Sequence, residues 1–258
     1  MLRAVAGVGF EHDANRFGMQ ALLLAAGEGT RLKPYTNATP KPMLRVGAEP
    51  ILGYNLAMLA AGGFDDITIN LHAFGTVVRD YVGGGARWGV RVRYSEEPEL
   101  LGTAGALMPV AADFRSGTFA IVFGDNLIEL DLRAMLDAHR AFGGTATVAV
   151  WQRDDVSQSG VAELGDGDRI LRFVEKPAAG ETPSHWINAG AVIAEPALLD
   201  DVPPSGPSDL GRDVLPRAIA RGRALYAYRL AGGLWWFDRV EDYRAALVDA
   251  KLAAFLAR

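Results

Sequence analysis

The 258-residue sequence has no cysteine at all. That absence removes disulfides, thiolate metal sites, iron–sulfur clusters and thiol nucleophiles together, and it is compatible with a reducing compartment. A cytoplasmic location is the expectation. No apolar run reaches the ~18 residues that a membrane span requires. Excess positive charge is missing as well: 26 Lys and Arg stand against 31 Asp and Glu, for a net charge of −5. Neither a broad nucleic-acid surface nor a polybasic membrane tail is therefore indicated, so no nucleic acid and no membrane is expected as a partner. The four histidines, at 12, 72, 139 and 185, show no metal-ligand spacing. What remains is a chain that is 50% hydrophobic and 22% charged, the composition of a soluble globular protein. At this length folding buries roughly 75% of the unfolded chain's surface, so the core needs no covalent or metal staples.

Short β-type runs alternate with helical spacing through the first half. Ala21 to Ala25, Ile67 to Leu71, Val90 to Tyr94 and Phe119 to Phe123 read as strands; Pro50 to Ala61, Phe74 to Val82 and Thr103 to Ala112 read as helices. Apolar strands alternating with helices imply a doubly wound α/β sheet covered on both faces, with ligands outside the carboxyl ends of its strands. In the second half, Thr145 to Gln152, Val161 to Leu164 and Ile170 to Val174 follow one another across turns, which predicts an antiparallel insertion and hence a mixed sheet. Cap signals place one helix between Ser208 and Gly222, and Val240 to Leu256 reads as a terminal amphipathic helix. The first 18 residues carry a short apolar stretch broken by Gly and followed by Glu11, His12 and Asp13, a poor signal peptide. They are read as a dispensable leader or tag, and residues 19–258 as one domain.

The strongest local signal is Leu24 to Leu32, LAAGEGTRL, with Pro40-Lys41-Pro42 beyond it. After a buried strand, Gly27 and Gly29 let backbone N–H groups approach an anion with no Cβ in the way. Arg31 offers a fork of donors to phosphate oxygens, and Lys41 adds a second charge between two ring-stiffened residues. Together they suit a polyphosphate; a lone Gly-x-Gly would mean no more than a tight turn. The run is neither a Walker A loop nor the dinucleotide fingerprint, whose third glycine is replaced by Leu32.

The whole segment LAAGEGTRLKPYTNATPKPMLRVGAEPIL, Leu24 to Leu52, resembles the opening signature of the sugar-1-phosphate nucleotidyltransferases, or nucleotide-sugar pyrophosphorylases. LGTAGAL (101–107), FGDN (123–126), SGVAEL (159–164), FVEKP (173–177) and NAGAVI (188–193) follow in that family's order. The look is closest to mannose- and heptose-1-phosphate guanylyltransferases and to short uridylyltransferases acting on amino-sugar phosphates such as N-acetylmuramate 1-phosphate. The resemblance implies a nucleotidyltransferase (Rossmann-like) fold whose antiparallel insertion binds sugar, with residues 19–143 mainly for the NTP and 144–258 mainly for the sugar phosphate. It further implies a cytoplasmic Mg²⁺-dependent enzyme of nucleotide-sugar biosynthesis, of the kind that serves cell-envelope polysaccharides, and a possible homodimer.

The residue roles implied by the resemblance follow its motifs. Leu24, Ala25, Ala26, Gly27, Gly29, Thr30 and Gly102 would line the nucleotide, Arg31 and Lys41 the reacting phosphates. Asp125 would bind Mg²⁺, although on its own it reads as a turn former. Asp238 would be the second metal ligand, although the segment after it, Arg239 to Tyr243, is two residues shorter than the family's, and Asp238 also reads as a helix N-cap with Glu241 at N3, a role compatible with the first. Lys176 would hold the sugar phosphate and Glu175 the sugar hydroxyls, a pair otherwise common on solvated surfaces. Gly160 and Asn188 would line the sugar pocket, or serve backbone geometry.

Glu97 stands where the family commonly reads the base edge. An acceptor-only carboxylate suits two N–H donors of guanine, whereas uracil and thymine offer one N–H, which favours GTP over UTP or dTTP; Glu96 and Glu99 are alternatives. Trp235, Trp236 and Phe237 read as core and pocket wall, His72 as packed or capped, and Arg87, Arg91 and Arg93 as an exposed alternation. Two other classes stay open: a non-catalytic nucleotide-sugar-binding regulator of the same fold, and a glycosyltransferase, although Gly124-Asp125-Asn126 lacks the second acid of an Asp-x-Asp metal site.

Overall fold

The computed structural model describes residues 18–257, so the stretch expected to be dispensable lies, apart from Gly18, outside the described residues. The first apolar run forms β1 (Met19–Leu24). Its alternation sets the layers of the molecule. Leu22 joins a core with Phe119, Ile121 and Val148, while Leu23 joins one on the opposite face with Leu52, Leu56 and Ile67. A strand buried on both faces is apolar at every position, and that is why the run reads as continuous.

The short hairpin β2 (Arg45–Val46) and β3 (Glu49–Pro50) leads into α1 (Ile51–Ala61), β4 (Phe64–Leu71), α2 (Gly75–Val82) and β5 (Arg91–Glu96). The helix expected over Thr103 to Ala112 is instead one turn, α3 (Gly102–Gly105), followed by 3-10 turns at Met108–Val110 and Asp113–Ser116. Gly105 weakens the helix and Pro109 cannot donate to the preceding turn. Then come β6 (Phe119–Phe123), β7 (Asn126–Ile128) and α4 (Leu132–Phe142), which Asp131 caps by accepting from the Ala134 N–H at 2.9 Å.

The second half supplies β8 (Ala146–Gln152), β9 (Gly160–Leu164), β10 (Ile170–Glu175), β11 (Trp186–Ala194), β12 (Leu225–Arg229) and β13 (Leu234–Trp236). β1 lies parallel between β4 and β6, and β5 extends β4 in parallel. β11 runs antiparallel to β6, β8 and β9, and β9 pairs antiparallel with β10. The expected insertion is therefore fused to the parallel half through β11, giving one mixed nine-stranded sheet in the order β10-β9-β11-β6-β1-β4-β5, with β8 on β11 and β12 on β8. β13 pairs with β7 in a separate ribbon.

Two further helices differ from expectation. The cap after the Pro-rich loop is Asp209, not Ser208: its Oδ1 accepts from the N–H groups of Gly211 and Arg212. The helix opens with a widened π turn over Leu210–Val214 before α5 (Leu215–Ala220), because Pro216 has no N–H to return into that turn. The terminal helix is two pieces, α6 (Val240–Ala246) and α7 (Ala250–Leu256), with Asp249 capping the second through the Leu252 N–H. Leu252, Tyr243 and Phe237 close a third core with Leu32, Leu44 and Ile51, and the Tyr243 hydroxyl donates to Arg45 O at 2.7 Å. That core fixes the segment carrying Arg31 and Lys41. Among the described residues no helix is long and apolar enough to cross a membrane.

Candidate active site

β1 and β6 end side by side, and the loops leaving them form the wall of a cleft of about 780 Å³. Asp125 stands just past β6, and Asp238 just past β13. Lys41, from the proline-flanked segment, reaches between them: its Nζ donates to Asp125 Oδ2 and to Asp238 Oδ1, each at 2.8 Å. The lysine side chain is 8% exposed, whereas the two carboxylates are 41% and 39% exposed on the cleft side. Burial works against the ammonium, but the two carboxylates outweigh it and hold Lys41 above its usual value. Asp238 is likewise opposed by burial, yet Lys41 and then Arg31 keep it below the ordinary aspartate range. Arg31 Nη2 lies 3.8 Å from Asp238 Oδ1.

This arrangement overturns one of the two readings of Asp238. The cap of α6 is Arg239, whose N–H donates to Asp242 Oδ2 at 3.0 Å. Asp238 faces Lys41 instead, and the N-cap reading with Glu241 at N3 is corrected. Two carboxylate oxygens gathered by one cation are a hard-oxygen donor pair. Among the described residues no third His, Cys, Asp or Glu joins them. That set suits Mg²⁺, which takes one or two carboxylates and fills its octahedron with phosphate and water.

At the next part of the wall, the loop after β1 leaves consecutive donors free. The Ala25 N–H donates to Asn70 Oδ1 at 2.7 Å, but the N–H groups of Ala26, Gly27, Glu28 and Gly29 meet no backbone acceptor among the described residues. A Cβ at Gly27 would touch nothing within 4 Å, so the side facing the cleft is open to an anion. Beyond it, Glu97 is buried and oriented by two donors: Asn70 Nδ2 on Oε1 at 2.8 Å and the Leu101 N–H on Oε2 at 3.0 Å. His72 is packed as expected, its Nδ1 2.7 Å from Glu97 O. Gly102 takes φ +77°, and a Cβ there would lie 2.4 Å from Ser208 O, so this glycine is demanded by the fold itself.

The far part of the cleft holds Glu175 and Lys176. Lys176 is held in the left-handed region at φ 50°, and its N–H donates to Ser159 O. Its Nζ is 4.0 Å from Glu175 Oε1. Burial, and then the nearby Asp209 carboxylate, push Glu175 above the usual glutamate value. A Cβ at Gly160 would come within 2.7 Å of Glu175 Oε2, and one at Gly211 within 2.5 Å. The two glycines thus make room for the carboxylate, which gives Gly160 a packing role. Asn188 Oδ1 accepts from the Gly190 N–H at 2.9 Å, which fixes the amide on the cleft wall.

Of the sequence-predicted residues, Leu24, Ala26, Gly27, Arg31, Lys41, Glu97, Gly102, Asp125, Gly160, Glu175, Lys176, Asn188 and Asp238 line this one cleft. Ala25, Gly29 and Thr30 do not; they shape the loop behind it. Sequence reasoning missed Asn70, Asp209 and Arg153 on the wall. Only Asn70 carried a signal, as an amide inside an apolar strand. Trp236 is wall and Phe237 core, as expected. Arg87 and Arg91 are exposed and Arg93 partly so, as expected, and each carries an ion pair: Arg87 with Glu49, Arg91 and Arg93 with Asp66.

The sequence model of the family described as nucleotidyl transferase matches residues 20–246. The chain is 36% identical over 244 residues to a UTP–glucose-1-phosphate uridylyltransferase of Synechocystis sp., covering 89% of this chain and 62% of that protein. It is 31% identical over 221 residues to a mannose-1-phosphate guanylyltransferase of Mycobacterium tuberculosis, covering 85% and 60%. The chain thus spans roughly three fifths of the length of these curated relatives. Its fold is shared with a solved UDP-glucose pyrophosphorylase in complex with UDP-glucose, at a TM-score of 0.78 and 23% identity over 93% of this chain and 99% of that one.

Proposed function

The chain belongs to the nucleotidyl transferase family, and from that premise we propose that it transfers a nucleoside monophosphate from an NTP to a sugar 1-phosphate, releasing pyrophosphate. The observation that carries the reading is the joining of Asp125 and Asp238 by one buried lysine, in a cleft that also holds free loop N–H groups and the Glu175–Lys176 pair. The loop N–H groups of Ala26 and Gly27, with Arg31, take the triphosphate. Lys176 takes the acceptor phosphate, and Glu175 accepts from sugar hydroxyls.

A phosphate monoester loses its second proton near pH ~6, so the acceptor arrives as a competent nucleophile and no general base is required. One of its oxygens forms the new bond to the α-phosphorus. The bond from that phosphorus to the bridging oxygen of the β-phosphate breaks, and the electron pair leaves with pyrophosphate. Lys41 and Arg31 hold the two polyanions in line and neutralise charge as it moves to the leaving group. Asp125 and Asp238 would hold Mg²⁺, which when bound supplies the remaining neutralisation of phosphate charge.

Guanine is the base in this reading. Glu97 is fixed by Asn70 and Leu101 and is an acceptor only, and the relative from Mycobacterium tuberculosis is a guanylyltransferase. A uridylyl donor is the second reading, supported by the 36% identity to the uridylyltransferase. The test is pyrophosphate release during Mg²⁺ titration of wild type and Asp125→Asn. The variant is expected to fold and to lose turnover by a factor of ~10² or more. Wild-type turnover in the variant at limiting Mg²⁺ would overturn the assignment of Asp125.

A further inference from the structure

Three cations of the cleft have a carboxylate within reach: Lys41 at 2.8 Å, Arg31 at 3.8 Å and Lys176 at 4.0 Å. Two others on the same wall do not. Neither Arg153, just past β8, nor Arg239, just past Asp238, has a carboxylate oxygen within 4.0 Å among the described residues. Arg153 is nonetheless fixed in place. Its guanidinium lies 4.1 Å above the Trp236 ring, and Trp236 is itself braced edge-on by Trp151. Its backbone N–H donates to His185 O, and its carbonyl meets His185 Nδ1. The nearest acid in sequence that lines the cleft, Asp155, turns Oδ1 to the N–H and hydroxyl of Ser157. A guanidinium that rests on an indole ring and donates no side-chain hydrogen bond among the described residues has N–H groups available for bidentate binding of a planar carboxylate or of phosphate oxygens.

We infer that the acceptor sugar carries a second anionic group besides its 1-phosphate, and that Arg153 on its Trp236 ledge binds that group. The inference rests on the proposed nucleotidyl transfer and narrows its substrate class. A neutral hexose would leave the stacked Arg153 with no anion in hydrogen-bonding range among the described residues, the nearby Asp155 carboxylate acting on it through charge alone, whereas a second anion uses charge already oriented in the wall. The anion is a carboxylate or a phosphate, both of which match the same donor edge.

The experiment compares glucose 1-phosphate, glucuronic acid 1-phosphate and glucose 1,6-bisphosphate as acceptors in pyrophosphate release, with equilibrium dialysis of each sugar against the protein. One of the two doubly anionic sugars is expected to exceed glucose 1-phosphate in kcat/KM by about tenfold or more, as for a charge-assisted hydrogen-bonded pair. Which one does so identifies carboxylate or phosphate. Arg153→Gln should lower that preference by a similar factor while the melting temperature holds, and Arg153→Lys, which keeps the charge but loses the fork, should fall between. Trp236→Leu should mimic Arg153→Gln by removing the ledge. Equal kcat/KM for all three acceptors, or an equal loss for all three in Arg153→Gln, overturns the inference and leaves nucleotidyl transfer standing. Absence of pyrophosphate with every acceptor counts against the transfer reading; dialysis then decides this one, since tighter binding of a doubly anionic sugar that Arg153→Gln abolishes supports it and indifferent binding refutes it.

Discussion

Replacing Lys41 with Met keeps the length of the side chain and removes only the ammonium between Asp125 and Asp238. Two charge-assisted hydrogen bonds at 2.8 Å are lost, each worth about 1.5–3 kcal/mol in a dry setting. Both carboxylates are about two fifths exposed on the cleft side, so water recovers much of that, and the net loss is about 2 kcal/mol. For a domain of this size that is a fall of roughly 4–8 °C in melting temperature. The sign with pH follows from Asp238, whose value is depressed by Lys41 and Arg31: the difference between wild type and variant is fully present above 3.8 and shrinks as pH falls through the lowered native value. In the variant the two carboxylates face each other without the ammonium between them, and only Arg31 remains near Asp238, so Mg²⁺ should raise its melting temperature more than it raises that of the wild type, where an ammonium already occupies the gap. Differential scanning calorimetry with and without Mg²⁺ reads both effects. An unchanged melting temperature together with identical Mg²⁺ shifts in the two proteins would refute the bridging role.

Lys176→Ala should raise the KM for the sugar phosphate at least tenfold more than the KM for the NTP, because its ammonium stands at the acceptor part of the cleft; an equal rise in both would assign it a general electrostatic role. Glu175→Gln should stabilise the protein at neutral pH while weakening acceptor binding: the carboxyl's native value is raised by burial and by Asp209, so its ionisation costs stability once pH exceeds that value. In the wild type, acceptor binding should weaken as pH falls through a midpoint above 4.5, and the variant should lack that limb. Glu97→Gln should cost about 1–3 kcal/mol even without nucleotide, since one of its two donors, Asn70 Nδ2 or the Leu101 N–H, must then face an amide N–H. The same substitution should lower kcat/KM for GTP relative to UTP and dTTP; an unchanged ratio removes Glu97 as the reader of the base.

What the sequence showed well is what local pattern determines. β1 is apolar from Ala21 to Leu23 because both its faces are buried there, and the loop after it announces itself by glycines. The position of Asp125 beyond a strand is equally local. Lys41 was legible as a cation held between prolines, but not as a bridge, because its two partners lie 84 and 197 residues away and no periodicity encodes that meeting. Asp238 reads as a cap as well as a metal ligand because an acid before a helix usually caps it; tertiary contact with Lys41 overrides that local preference, and Asp242 takes over the backbone N–H. Arg153 gave no signal, since its meaning comes from Trp236 on a strand of the separate ribbon. The helix expected over Thr103 to Ala112 breaks where Pro109 removes a donor, and the next one opens as a π turn before Pro216, local causes that the spacing of apolar residues does not register.

The most direct test of the central claim is product identification. Purified protein with Mg²⁺ is incubated with GTP, UTP or dTTP and a panel of sugar 1-phosphates, neutral and doubly anionic, and the mixture is read by mass spectrometry and pyrophosphate assay. The account predicts a nucleotide-sugar and pyrophosphate in equal amounts, with GTP the preferred donor. Release of inorganic phosphate or a nucleoside diphosphate instead, or no nucleotide-sugar from any pair, would contradict it.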